Sequence, residues 1–103
     1  MELKKAKVFI SQPMNGLDEK EVLETRSTIF ENFKKHFGYP IELIDSYVKE
    51  NIPLDAGRIW MLGDSIKLMD QADIIIFAPG WRNARGCEVE HLVADKYGIN
   101  RYM

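Results

Sequence analysis

Asp73-Ile74-Ile75-Ile76-Phe77-Ala78, closed by Pro79-Gly80, is the stretch on which the fold of this chain turns. Four bulky apolar residues follow one another without polar alternation, three of them β-branched. A strand that is half solvated alternates; a run that does not is suited to a strand covered on both faces, the condition met in a parallel sheet. Pro79 removes a backbone donor and Gly80 favours a turn, so the run stops there.

A strand of this kind needs helices on either side of it, and the sequence supplies them. Before it, Ile59 to Gln71 has helical spacing, with Ile59, Leu62, Ile66 and Met69 on one face. After it, Cys87 to Tyr97 reads as a helix ending at Gly98, and Ile99 to Met103 as a short final strand. Further out, Lys7 to Ser11 is an apolar, β-rich first strand broken by Gln12-Pro13-Met14-Asn15-Gly16. Leu17 to Phe37 then carries Val22, Ile29, Phe30, Phe33 and Phe37 on one stripe, with Gly38 as a stop and Pro40 blocking continuation. Ile41 to Ile44 is a second strand, and Asp45 to Gly57 a loop or irregular helical turn. Nothing in the sequence marks a linker or repeat, so residues 1–103 read as a single domain.

Strands alternating with helices imply an α/β fold with right-handed crossovers and a parallel sheet of about four to five strands, covered on both faces. Ligands of such sheets sit outside the carboxyl ends of the strands, where strand order switches. Those ends are Ser11 to Gly16, Asp45 to Tyr47 and Pro79 to Gly86.

Composition narrows the partners. A formal charge of -2 provides no general attraction for nucleic acid or an acidic membrane, so an anion site has to be local. With 46% hydrophobic residues the chain can build a core, yet no apolar run approaches the ~20 residues of a membrane span. The single cysteine, Cys87, has no partner for an internal disulfide, and the first residues lack a signal-peptide pattern; both suit the cytoplasm. His36 and His91 show no metal-ligand spacing with Cys87, so no zinc site is expected; no other metal and no cofactor are expected either.

The chemistry-bearing residues gather at the strand ends. In Pro79-Gly80-Trp81-Arg82-Asn83-Ala84-Arg85-Gly86-Cys87, backbone N–H groups at the helix start form an anion site that Arg82 and Arg85 can reinforce. The plainer alternative is a strand-to-helix turn with two solvated arginines. In the helix, Val89, Leu92, Val93 and Tyr97 define an apolar stripe, and Glu90 falls on its edge beside Val93 and Ala94. Glu88 points away with His91 and Asp95, as a first-turn carboxylate complementing the dipole does. Glu90 is therefore the candidate nucleophile or electrostatic partner. Gln12 can read a base or sugar edge and Met14 can pack on a ring, against the alternative of a plain turn. Arg26 interrupts its helical stripe and either snorkels to solvent or reaches a ligand phosphate. Ser65 lies inside the apolar arc of its helix, Asp64 on the polar flank, and Asp73 fixes a turn at the start of its strand. Trp60 and Trp81 read as packing residues, although Trp81 stands in the critical loop.

Val8-Phe9-Ile10-Ser11-Gln12-Pro13-Met14, Ala72-Asp73-Ile74-Ile75-Ile76-Phe77, Pro79-Gly80-Trp81 and the spacing Gly86-x-x-x-Glu90-x-x-x-Ala94-x-x-x-Gly98 together resemble the nucleoside 2-deoxyribosyltransferase-like superfamily. The likeness is nearest to its small, mostly uncharacterised branch with a Pro-Gly-Trp loop. The resemblance implies a flavodoxin-like three-layer αβα sandwich and homo-oligomers, dimers or larger, with sites near subunit contacts. It also implies a small-molecule nucleoside or nucleotide as partner, and a glutamate nucleophile at Glu90. Asp64 or Ser65 would stand beside the sugar, with Gln12, Pro13, Met14, Gly80, Trp81, Arg85, Gly86 and Cys87 at the substrate. Three positions depart from the pattern: Ser65 stands where many members carry an aspartate, the loop has no aspartate shortly before Gly86, and Ala84 replaces a serine. Three functions are thus expected in turn: N-glycosidic cleavage or exchange, a non-catalytic nucleotide-binding module on the same fold, and an adaptor that needs no Glu90.

Overall fold

A computed structural model describes residues 4–14, 16–46 and 54–103. Asn15 and the middle of the stretch from 45 to 57 lie outside the described residues. Four strands form one sheet: β1 (Ala6–Ser11), β2 (Ile41–Leu43), β3 (Ile74–Phe77) and β4 (Asn100–Tyr102). Their order is β2-β1-β3-β4 and all pairs are parallel, with Val8 opposite Leu43 and Ile74, and Ile76 opposite Tyr102. Among the described residues three α-helices connect them: α1 (Glu19–His36), α2 (Arg58–Met69) and α3 (Arg85–Lys96), with a 3-10 turn at Trp81–Asn83. The protein is thus an α/β fold with the layering of a flavodoxin-like sandwich, and its strand order reverses between β1 and β3.

The two faces have separate cores. Val8, Ile10, Ile41, Ile74 and Ile76 are buried under α1, whose Ile29, Phe30 and Phe33, with Phe37 just past its end, pack on them. Phe9, Ile44, Ile75 and Phe77 face the other way, against Met69 and Ile66 of α2 and Ala94 and Val93 of α3. The run from Ile74 to Phe77 is buried throughout, as a strand flanked by helices on both sides has to be. Asp73 does fix its start: its amide donates to the Lys7 carbonyl and its carboxylate accepts from the Lys7 amide, both at 2.8 Å.

Helix α1 begins two residues later than its apolar pattern suggests, because Asp18 caps it and accepts from the Glu21 amide at 2.8 Å. Glu19 and Glu21 in the first turn, and Lys34, Lys35 and His36 in the last, match the helix dipole.

Two helix faces differ from the expected ones. Ile59, placed on the inner face of α2 by spacing, is 86% exposed; the helix turns Ile66, Leu68 and Met69 to the sheet. On α3 the expected stripe is largely outside, with Leu92 54% and Tyr97 80% exposed. Cys87, Glu90 and Ala94 form the buried row instead. The reason is steric: at Ala94 the helix approaches Phe9, Ile75 and Phe77 closely, and a small side chain permits this where a leucine does not. Among the described residues no helix is long and apolar enough to cross a membrane.

Candidate functional site

The site is set by the alternation of β1. Phe9 and Ser11 point to the α2/α3 side, and Gln12, the first residue beyond the strand, turns to α1. Ser11 is 1% exposed and donates from Oγ to Glu90 Oε1 at 2.7 Å. From α2, Ser65 Oγ donates to Glu90 Oε2 at 2.6 Å. Each oxygen of the Glu90 carboxylate is therefore held by a hydroxyl from a different element, next to the switch between β1 and β3. Glu90 itself is 6% exposed. Burial pushes its carboxyl above the ordinary value, and the Ser65 and Ser11 hydroxyls, followed by the charge of Arg26, pull it part of the way back.

Cys87 lies one turn before Glu90 and is also buried. Burial raises its thiol above the ordinary value, a hydrogen bond with Ser11 lowers it, and the charge of Glu90 raises it again. The thiol is thereby kept protonated rather than activated.

On the α1 side, Gln12 is engaged inside the protein. Its Oε1 accepts from Arg26 Nε at 2.8 Å, and its Nε2 donates to the Val22 carbonyl at 3.1 Å. Arg26 does not snorkel: it is 4% exposed. Next along the chain, Pro13 is half-buried and meets the β3 loop, since a Cβ on Gly80 would lie 3.7 Å from Pro13 Cγ. Gly80 has φ +86°, a left-handed conformation that glycine adopts without strain. Met14 is exposed at the rim.

The β3 loop folds back on α3. Trp81 stacks on His91 with ring centroids 4.4 Å apart and packs against Phe77 at 5.2 Å, while the Arg82 guanidinium sits 5.2 Å above the indole. Trp81 is thus largely committed to packing. Arg85, the first residue of α3, is exposed, and no side chain caps that helix at Ala84. Gly86 faces α2, where an added Cβ would touch Leu62 at 3.8 Å.

Ser65 and Asp64 separate cleanly. Ser65 reaches Glu90, whereas Asp64 lines a cavity of about 210 Å³ with Trp60, Gly63 and Lys67. A larger cavity of about 320 Å³ lies beyond the β3 loop, between Phe77, Trp81, Arg82 and Met103. Glu90 lines neither. Among the described residues no group of three or more His, Cys, Asp or Glu gathers as a metal site.

Sequence reasoning left Ser11 without a role of its own. The signal was present: a serine closing an otherwise apolar buried strand, on the face of Phe9, at the carboxyl edge. Cys87 and Glu90 share the buried row of α3 for the same reason that Ala94 does, being i, i+3 and i+7 on one face.

Residues 6–102 match the family described as a domain of unknown function, DUF4406, and the chain belongs to that family. No curated protein matches the chain, and no solved structure does.

Proposed function

We propose that this member of the DUF4406 family cleaves or exchanges the N-glycosidic bond of a nucleoside or nucleoside 5′-monophosphate, with Glu90 as the nucleophile. One observation carries the reading: a buried carboxylate at the β1/β3 switch, with each oxygen fixed by a serine hydroxyl. The nucleoside 2-deoxyribosyltransferase-like pattern around Gly86 and Glu90 supports the same assignment.

In this reaction a Glu90 oxygen bonds to the anomeric carbon as the carbon–nitrogen bond breaks. The bonding pair leaves with the base, which takes up a proton from solvent. The transition state resembles an oxocarbenium ion, which the carboxylate stabilises and then captures. Water, or a nitrogen of a second base, next attacks the same carbon and displaces the Glu90 carboxylate, the attacking group's proton passing to solvent. Ser11 and Ser65 steady the carboxylate at both ends of the cycle, when it attacks and when it leaves.

A second reading, a nucleotide-binding module without turnover, is favoured by one feature: both Glu90 oxygens already have internal donors and the residue is 6% exposed. One experiment separates the two. Incubation with a panel of nucleosides and 5′-monophosphates, with chromatography for free base, gives base release in the first case. Binding by calorimetry without release supports the module, and the absence of both removes the small-molecule readings together.

The assembly inferred is a homodimer or a larger symmetric oligomer. Its support is the apolar surface on the outer sides of α2 and α3, where Ile59, Trp60, Met61, Val89 and Leu92 are exposed. A cytoplasmic location fits the single, buried cysteine.

A further inference from the structure

We propose that the cavity of about 320 Å³ beyond the β3 loop is a seat for a purine ring that carries a 6-oxo group, with Arg82 reading its O6 and N7 edge. The seat stands on its own geometry. Only its role, as the place of the base that leaves or arrives, rests on the N-glycosidic reading.

The walls are mostly apolar: Phe77 at the end of β3, Pro79 and Trp81 in the loop, and Met103 after β4. Arg82 and Asn83 are the polar side chains in the lining. Trp81 is fixed before any ligand arrives, because His91 stacks on it at 4.4 Å with the rings 17° apart and Phe77 packs on it at 5.2 Å. A wall held in advance costs a ligand little ordering. The Arg82 guanidinium lies 5.2 Å from the indole centroid. Stacking on a ring restrains a guanidinium and leaves its in-plane N–H groups as donors.

The lining decides between ligands. Among the described residues one cation and no Asp or Glu side chain lines the cavity. A lone phosphate gains from several charged donors, and here it would meet one, over apolar walls. A planar heterocycle covers those walls and needs only a fork of donors at its edge. A guanidinium matches two adjacent acceptors in one plane, the pair that O6 and N7 of a 6-oxopurine present. Adenine sets an amino donor beside N7 and loses half of that match. The volume is at the lower end of the roughly 300–1,000 Å³ of small-molecule sites, enough for a single ring system. Two contacts place the cavity next to Glu90. Phe77 is the register partner of Ser11, which holds the carboxylate, and His91, which follows Glu90 in α3, supports Trp81.

The test uses 9-methylhypoxanthine, whose methyl group fixes N7 as an acceptor. It has no glycosidic bond, so the result is independent of base release. Protein with labelled tryptophan is titrated by NMR, the Trp81→Phe variant identifying the Trp81 indole and Trp60 serving as internal control. The Trp81 resonance is expected to move while Trp60 stays. Binding of 9-methyladenine should be at least about tenfold weaker. Arg82 is exposed, so its variants are expected to fold. Arg82→Ala, with an unchanged circular-dichroism spectrum, should weaken 9-methylhypoxanthine about tenfold or more, and Arg82→Lys should not restore it, since an ammonium lacks the fork. A Trp81 resonance that stays still up to the solubility limit overturns the proposal, as does equal affinity for the two methylated bases. Wild-type affinity in Arg82→Ala overturns it too, and displacement of 9-methylhypoxanthine by inorganic phosphate would make the cavity an anion site instead.

Discussion

Ser65 Oγ donates to Glu90 Oε2 at 2.6 Å, joining the middle of α2 to the middle of α3 directly over the end of β1. The bond does two things at once, tying helix to helix and orienting a buried carboxylate. Ser65→Ala is therefore expected to destabilise the fold by about 1–3 kcal/mol, because a buried acceptor loses its donor. The Glu90 carboxyl should move further up, since the Ser65 hydroxyl is the largest influence pulling it down. Denaturant unfolding measures the first effect and carboxyl titration the second; an unchanged midpoint in both would remove Ser65 from the site.

Glu90 and Glu88 share a helical turn and opposite fates: one is buried with two hydroxyl donors, the other is exposed. Glu90→Gln is expected to abolish base release by several powers of ten, as loss of a covalent nucleophile does, while preserving the fold. Glu88→Gln should stay within a few-fold of wild type. Equal rates of base release in the two variants would sink the assigned mechanism.

Stability and activity should respond to pH in opposite directions. Burial holds the Glu90 carboxyl above the ordinary value of 4.5, so the folded chain binds its proton more tightly than the unfolded chain does. Its contribution to stability is complete below the ordinary value and is lost as pH rises through the raised one. Base release needs the ionised form and should climb across the same interval. The comparison is between wild type and Glu90→Gln in denaturant unfolding from pH 4 upward: the difference should be pH-dependent in this interval and flat beyond it. A constant difference would mean that Glu90 titrates normally.

Ala94 and Leu92 test the corrected face of α3. Ala94 is fully buried against Phe9, Ile75 and Phe77, so Ala94→Leu overpacks the core and should cost about 1–3 kcal/mol. Leu92 faces outward, so Leu92→Glu should leave the protomer folded and reduce the oligomer by light scattering. A wild-type protein that stays monomeric at every concentration counts against the inferred assembly, and an unfolded Leu92→Glu variant counts against the observed face.

Much of the architecture was legible because it depends on patterns longer than any one residue. The unbroken run Ile74 to Phe77 requires cover on both sides, and the alternation of strand and helix leaves few topologies. The helix faces were harder. Counting apolar residues put Val89 and Leu92 inside α3, yet the inner row contains a thiol and a carboxylate, because the helix docks where Ala94 is small. Glu90 stood out by its place at the edge of the apolar stripe and, in the resemblance to a known family, by its spacing from Gly86. Ser11 did not, since its importance lies in a partner far away in the chain, and spacing along a sequence cannot express that. Between Asp64 and Ser65 the helical phase decided the matter: only Ser65 points to Glu90.

The separation of Ser11 and Glu90, 79 residues along the chain, has a temporal consequence. β1 is translated early, but it lies in the middle of the sheet and its neighbour β3 is made much later. During synthesis the serine has no carboxylate to hold until α3 has been made. Contacts this distant close late, after nearer pairings have formed. The Ser11–Glu90 pair therefore closes only once α3 docks on the sheet, and on the proposed mechanism turnover begins no earlier.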